Sequence, residues 1–423
     1  MNEEFLHYIW KNKLFDKREY FYNDTKIEII DVGEQNFDAG PDFFNAKIKI
    51  DNTTWAGNIE IHKKSSEWFN HKHHKDKAYN NVILHVVNNF DKEITNQNNI
   101  TIPTIEIKYN KKYLENFKYL TSVNNNIKCI NQLHFINDFT INFWLDKLLI
   151  ERFEQKSKNI DKILQQNKNN WEDTFYKLLS INFGLKANSL PFELLANSLP
   201  LNIIYKHKTN LFQLEALFFG QAGFLEQEID NDEYFNKLKN EYKFLKTKYK
   251  LTNINNYLWK FNRLRPNNFP TLRIAQFAAL INNSSKLFSI ILETTDTKKL
   301  FKLFDFSASE YWDNHYNFGV KSSKKNKKKI GKSFIDNIII NTISIIIFSY
   351  GQHHSNQNKK DFAIELIEKI KPEKNNIINK WNKTNIKIDN AAKTQALIQL
   401  YNKYCKKNNC INCEIGNKII TLR

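Results

Sequence analysis

The sequence predicts an α+β protein: an N-terminal α/β module with a mixed sheet, then a mostly helical C-terminal domain. Three observations carry this. Strand-period segments crowd the first ~110 residues. Helix-period segments dominate the rest of the chain. At 423 residues the chain is also long for a single hydrophobic core. The division is placed at residue 130, giving modules 1–130 and 131–423.

Residues 3–16 read as an amphipathic helix, with Leu6, Trp10 and Leu14 recurring at fours and Phe5 and Ile9 beside them. Strands are expected at Lys26–Asp31, Phe43–Ile50, Thr54–His62, Val82–Val87 and Ile100–Ile107. The polar, His-rich stretch 65–80 separates the third from the fourth. Helices are then expected at Phe139–Gln166, Trp171–Phe183, Leu211–Phe224, Asp232–Tyr249, Arg273–Ile281, Asp361–Ile370 and Ala391–Tyr404. The lysine-dense stretch 322–332 reads as a solvated loop. Its Gly331-Lys332-Ser333 is no phosphate loop, because Asn326 stands where that motif needs glycine.

An apolar fraction of 41% excludes wholesale disorder. The net charge of +18 points to an anionic partner, nucleic acid first, although Lys, Asn and Ile are abundant throughout and lysine drift alone could supply much of the charge. No apolar signal segment comes after Met1-Asn2-Glu3-Glu4. The apolar run Phe334–Tyr350 is interrupted by Asp336, Asn337 and Asn341 and reads as a buried helix. Four cysteines in so long a chain do not make a disulfide scaffold. A cytoplasmic protein without membrane attachment is expected.

The most informative stretch is Asp38-Ala39-Gly40-Pro41-Asp42, followed by Ile59-Glu60-Ile61-His62. Glu60 and His62 are two apart on a strand and share one face. With Asp42 they supply two carboxylates and an imidazole, a set able to hold Mg²⁺ (or Mn²⁺) and orient water. Register decides whether they meet. A three-residue turn at 51–53 brings Asp42 across from His62 with Glu60 diagonal. A two-residue turn at 52–53 matches the apolar faces better but turns Asp42 away and sets Lys47 diagonal to Glu60. A bulge near Asp42 would reconcile both demands. The competing reading makes Asp42 a turn cap and Glu60 a solvated strand residue.

Pro41-Asp42 followed by Glu60-x-His62 resembles the PD-(D/E)xK nuclease core, with His62 where that family has lysine. The resemblance implies a metal-dependent nuclease with Glu4, on the preceding helix, joining the metal site and His62 or Lys47 serving as the cationic or basic group. Over nearly its full length the chain also resembles a bacterial domain-of-unknown-function family. The matching segments are EEFLHYIW (3–10), DAGPDFFNA (38–46), WAGNIEIH (55–62), VILHVV (82–87), GQAGFL (220–225), RLRPNNFPTLRIAQFAAL (263–280) and 405–416.

His71, His73 and His74 are expected to form a solvated turn rather than a zinc site, because lysines flank them and no cysteine is near. His85 reads as a core histidine. Cys405, Cys410 and Cys413 form a C-x4-C-x2-C cluster that Cys129 completes, a set suited to zinc or an iron–sulfur cluster. Arg263, Arg265 and Arg273 form a local arginine cluster suited to phosphate, or to an internal ion-pair network. The resulting expectation is a Mg-dependent nucleic-acid phosphodiesterase. The alternatives are a non-catalytic nucleic-acid-binding protein and a metal-stapled interaction scaffold.

Overall fold

A computed structural model describes residues 3–16, 19–284 and 286–422. The chain forms two compact units. The first comprises residues 1–144, 383–386 and 400–423; the second, 145–382 and 387–399. The boundary therefore falls at 144/145 rather than 130, and the C-terminal segment belongs to the α/β unit.

In the first unit, helix α1 (Glu3–Lys11) buries Phe5, Leu6, Ile9 and Trp10. It stops short of residue 16: Lys13 is left-handed at φ 53°, and Phe15 bridges to Tyr109. The sheet has seven strands: β1 (Glu19–Tyr22), β2 (Thr25–Asp31), β3 (Glu34–Gln35), β4 (Phe43–Ile50), β5 (Thr53–Lys64), β6 (Val82–Asn89) and β7 (Thr104–Glu106). Their order is β1-β2-β4-β5-β6-β7, with β3 beside part of β4. Pairing is antiparallel as far as β5 and parallel from β5 to β7, so the sheet is mixed. The short β1 and β3 carry no clear alternation and were not expected. The strand expected at Ile100–Ile107 shrinks to Thr104–Glu106.

The parallel pairing accounts for the burial of the central strands. Residues 59–62 and 84–87 are buried without alternation, as strands covered on both faces are. The crossover between β5 and β6 includes α2 (Glu67–Asn70) and two 3₁₀ turns. It is pinned at its start by Asp91, which accepts from Ser65 Oγ (2.9 Å), Ser66 N (2.8 Å) and Ser66 Oγ (2.8 Å). Trp68 then anchors it in a cluster with Tyr79, Val82, Ile94 and Ile102. Helix α3 (Lys111–Ser122) carries Asn116, whose amide donates to the carbonyls of Ile419, Ile420 and Leu422. One side chain thereby ties down the end of helix Glu414–Ile420.

The second unit is helical apart from one short hairpin, His315–Asn317 with Val320–Lys321. Its core packs Phe183, Phe192, Phe218 and Phe277. Helix 185–198 was not expected, because Pro191 argues against a helix interior. The residue is accommodated by a kink at Asn188 (φ −120°). Among the described residues, helix Lys332–His353 is the one segment long and apolar enough to cross a membrane. It is 72% buried within the protein over its most apolar stretch.

Candidate metal centre

The β4–β5 hairpin decides whether the two carboxylates meet, and neither expected register is the observed one. The turn is Asp51-Asn52, with Ile50 opposite Thr53, Ile48 opposite Trp55 and Ala46 opposite Gly57. Between Ala46 and Phe43 two residues of β4 face the single Asn58 of β5, a bulge that holds Asn45 left-handed at φ 59°. The apolar faces keep their pairing below the bulge, and Asp42 emerges across from Glu60 above it. The Asp42 backbone N–H donates to Glu60 Oε2 at 3.1 Å, and the Ile61 N–H donates to Asp42 Oδ2 at 2.9 Å. The Asp38–Pro41 loop is held by Asn36, whose amide donates to the carbonyls of Asp38, Ala39 and Pro41. Gly40, at φ 108°, makes the turn that L side chains resist.

Glu60 is 5% exposed and so is not a solvated strand residue. Burial, then the charge of Asp42, pushes its carboxyl well above the usual range, against the opposing Asp42 N–H. In the absence of a cation Glu60 holds a proton at neutral pH. Its Oε1 lies 3.2 Å from His73 Nε2 and 3.6 Å from His62 Nε2.

Histidines dominate the rest of the site. His62 Nδ1 is 2.8 Å from His85 Nε2, and His62 Nε2 is 3.1 Å from His71 Nδ1. His85 Nδ1 in turn faces Thr104 Oγ1 at 3.5 Å. One proton per ring satisfies the whole chain: His71 donates to His62, His62 to His85, and His85 to Thr104. Burial, then neighbouring imidazoles, pulls His62 down to about 2 and His85 to about 3, so both are neutral. The solvated turn expected at 71–74 is thus corrected. His73 faces Glu60, His71 faces His62, Lys72 and Lys75 are exposed, and His74 packs on Phe69. Lys72 adopts φ 63°, turning the backbone between the two histidines. Among the described residues, His62, His71 and His73 are the one trio of potential ligands with all three atoms within 4.8 Å of one another.

Sequence reasoning missed His7. Its Nε2 lies 3.2 Å from Asp42 Oδ2, off the hydrogen-bonding angle. Burial lowers its pKa, but the Asp42 contact and the charges of Asp42, Glu60 and Glu3 outweigh that and raise it overall. The i,i+4 spacing of Glu3 and His7 on α1 was the available signal. Glu4, the helical residue expected at the metal, is exposed; the glutamate whose charge reaches Glu60 is Glu3. His7, Glu3, Glu4, Lys11, Phe37 and Asn412 help line a cavity of about 560 Å³. Lys47 is exposed opposite Ala56, four residues down β5 from Glu60. At strand rise that is about 13 Å, too far to share a water with Glu60.

The four cysteines gather in the same unit, more loosely than the histidines. Cys405 feels the charges of Cys129, Cys413 and Cys410, and Cys129 those of Cys413 and Cys410. Burial pushes all four thiols up, Cys413 to about 11. Cys413 accepts backbone N–H bonds from Gly416 and Ile415. Gly416 is required there, since a Cβ would stand 2.0 Å from the Cys410 carbonyl oxygen.

Arg273 departs from its expected role. It is 5% exposed, donates to Gln276 Oε1 (2.9 Å) and Asn268 Oδ1 (2.6 Å), and lies 3.5 Å over the Phe334 ring. It braces the second unit and offers no surface to a phosphate. Arg263 and Arg265 are exposed.

No curated protein and no solved structure matches the chain. A family model does, over residues 3–376, and the chain accordingly belongs to the family described as Protein of unknown function (DUF2851).

Proposed function

We propose that the first unit is a metal-dependent phosphodiesterase acting on nucleic acid. The observation that carries this reading is the approach of Asp42 to Glu60 across the bulged hairpin, with His7 beside Asp42 lining a cavity of about 560 Å³. The donor chemistry fits a divalent cation: two carboxylates, one of them buried and short of compensating positive charge. Asp42 and Glu60 would hold Mg²⁺ or Mn²⁺. When bound, the ion polarises a phosphoryl oxygen and lowers the pKa of water.

The chain's own groups would do the rest. His7 faces Asp42 and the cavity together, so once a cation engages Asp42 it would take the attacking water's proton as the new phosphorus–oxygen bond forms and the bond to the leaving group breaks. The leaving oxygen would take its proton from solvent, to which His7 returns the one it accepted. His62, walled in by His85 and His71, is poorly placed to exchange protons with a substrate and instead orients the site. Phe37, 79% exposed beside Lys11, offers a face on which a base can stack. The net charge of +18 would favour the polyanion.

The four cysteines fit a structural zinc ion or iron–sulfur cluster, with Cys413 already receiving the N–H bonds that steady a thiolate. A reducing compartment such as the cytoplasm would suit the four cysteines in this reading.

Purified protein with Mg²⁺ or Mn²⁺ is expected to cleave at least one of single-stranded, double-stranded or branched DNA or RNA. Glu60→Gln is expected to cut at background level with an unchanged circular dichroism spectrum. No cleavage by wild type on any substrate removes the enzyme reading. Salt-dependent binding without cleavage would then favour a non-catalytic binding protein.

A further inference from the structure

The imidazoles on the other side of Glu60 are more than the acidic pair requires. We infer that Glu60 Oε1, His62, His71 and His73 form a second cation subsite, selective for a zinc-class ion over Mg²⁺ and sharing Glu60 with the acidic site. The sharing rests on the phosphodiesterase reading; the subsite itself stands on its own geometry.

Spacing is the first argument. Ligands about 2.0–2.1 Å from a tetrahedral ion stand roughly 3.3–3.4 Å from one another. The observed separations are 3.1 Å (His62 Nε2 to His71 Nδ1), 3.2 Å (His73 Nε2 to Glu60 Oε1) and 3.6 Å (His62 Nε2 to Glu60 Oε1). One ligand atom from each histidine falls within 4.8 Å of the other two.

Orientation is the second. Glu60 Oε2 is engaged by the Asp42 N–H, which leaves Oε1 turned toward the imidazoles. His62 Nδ1 is paired with His85 Nε2, so the lone pair of Nε2 faces inward when Nδ1 carries the proton. Metal-bound histidines are held by just such a partner on the other ring nitrogen. His73 Nε2 is buried, makes no hydrogen bond of proper angle, and has its ring fixed against Tyr79 at 3.8 Å. Burying an imidazole nitrogen in this way is costly unless something coordinates it.

His71 is exposed and provides the entrance, while the other three ligands are buried. Three imidazoles and one carboxylate are borderline donors suited to Zn²⁺; Mg²⁺ prefers oxygen.

The test counts metal in the full chain. Apoprotein dialysed against ZnSO₄ is measured by elemental analysis for wild type, His71→Ala/His73→Ala, Asp42→Asn and His85→Phe. The double variant is expected to hold one zinc fewer than wild type. Asp42→Asn should keep that zinc, and His85→Phe should bind it about 10–100-fold more weakly. Subtraction removes any zinc held by the cysteines. His71 is exposed, so His71→Ala alone serves if the double variant misfolds. Equal zinc in wild type and in these histidine variants overturns the inference, as does a site that Mg²⁺ fills as readily. Zinc lost from the double variant while wild type cleaves nothing supports the subsite and sinks the phosphodiesterase reading. Mg²⁺-dependent cleavage with no zinc difference does the reverse.

Discussion

At the scale of single residues, both units bury an acid, and the two acids serve different ends. In the proposed metal site, the raised pKa of Glu60 would fall on binding a cation. Glu215 is fully buried in the second unit, with the hydroxyls of Tyr234 and Ser309 on Oε2. Burial pushes it up to about 7 against those hydrogen bonds. The folded protein keeps this proton where the unfolded chain has lost it, so its contribution is complete below the unfolded value of 4.5 and is lost as pH rises through about 7. Each pKa unit is worth about 1.4 kcal/mol, so Glu215 should cost the fold a few kcal/mol between those limits. Urea denaturation from pH 4.5 to 7.5 should show this fall, and Glu215→Gln should flatten it. An unchanged slope in the variant would mean that other groups set the pH dependence.

At the scale of elements, the bulge in β4 and the β5–β6 crossover build the site. The bulge lets one strand satisfy two demands that a regular ladder sets against each other: apolar pairing along Ala46 and Ile48, and the presentation of Asp42 to Glu60. Its left-handed residue is Asn45, a type that tolerates positive φ. Asn45→Gly should leave stability and metal binding intact. Asn45→Val should cost about 1–2 kcal/mol in denaturant titrations. It should also weaken Mg²⁺ binding by the same fraction as Asp42→Asn, because Asp42 loses its place. If the valine variant binds metal normally, the bulge does not set the register at Asp42. The crossover works otherwise: Trp68, fully buried, and the Asp91 clamp on Ser65 and Ser66 fix a polar segment whose histidines have no strand to hold them.

At the scale of the molecule, the chain's last segment completes its first unit. Residues 400–423 join the α/β unit, bringing three cysteines to Cys129. A metal there would close a very long loop, for which the entropy penalty grows only slowly with length. Protein purified anaerobically is expected to carry iron, with absorbance near ~400 nm, or stoichiometric zinc. Cys410→Ser/Cys413→Ser should lose that metal and lower the melting temperature, while keeping the zinc assigned to the histidines. Finding neither metal in the wild type would leave the cysteines as buried, reduced thiols.

The sequence by itself determined the α+β class, the limits of β4 at Phe43–Ile50, the helix Trp171–Phe183 and the pairing of Glu60 with His62 on one strand. Hydrophobic periodicity is local and strong there, and a strand's two-residue repeat leaves no freedom. It also read the run 334–350 as a buried helix, and the helix there is mostly buried within the protein. It could not settle the hairpin register, since shifting the bulge by one residue leaves local propensity unchanged and reverses every face. His7, His71, His73 and His85 converge only after the sheet forms, because a helix, a crossover and a strand supply them. Arg273 looked available because exposure is not written in residue type. Tertiary packing stacked it on Phe334, as it buried Glu60 beside Asp42, where burial raises the pKa of its carboxyl.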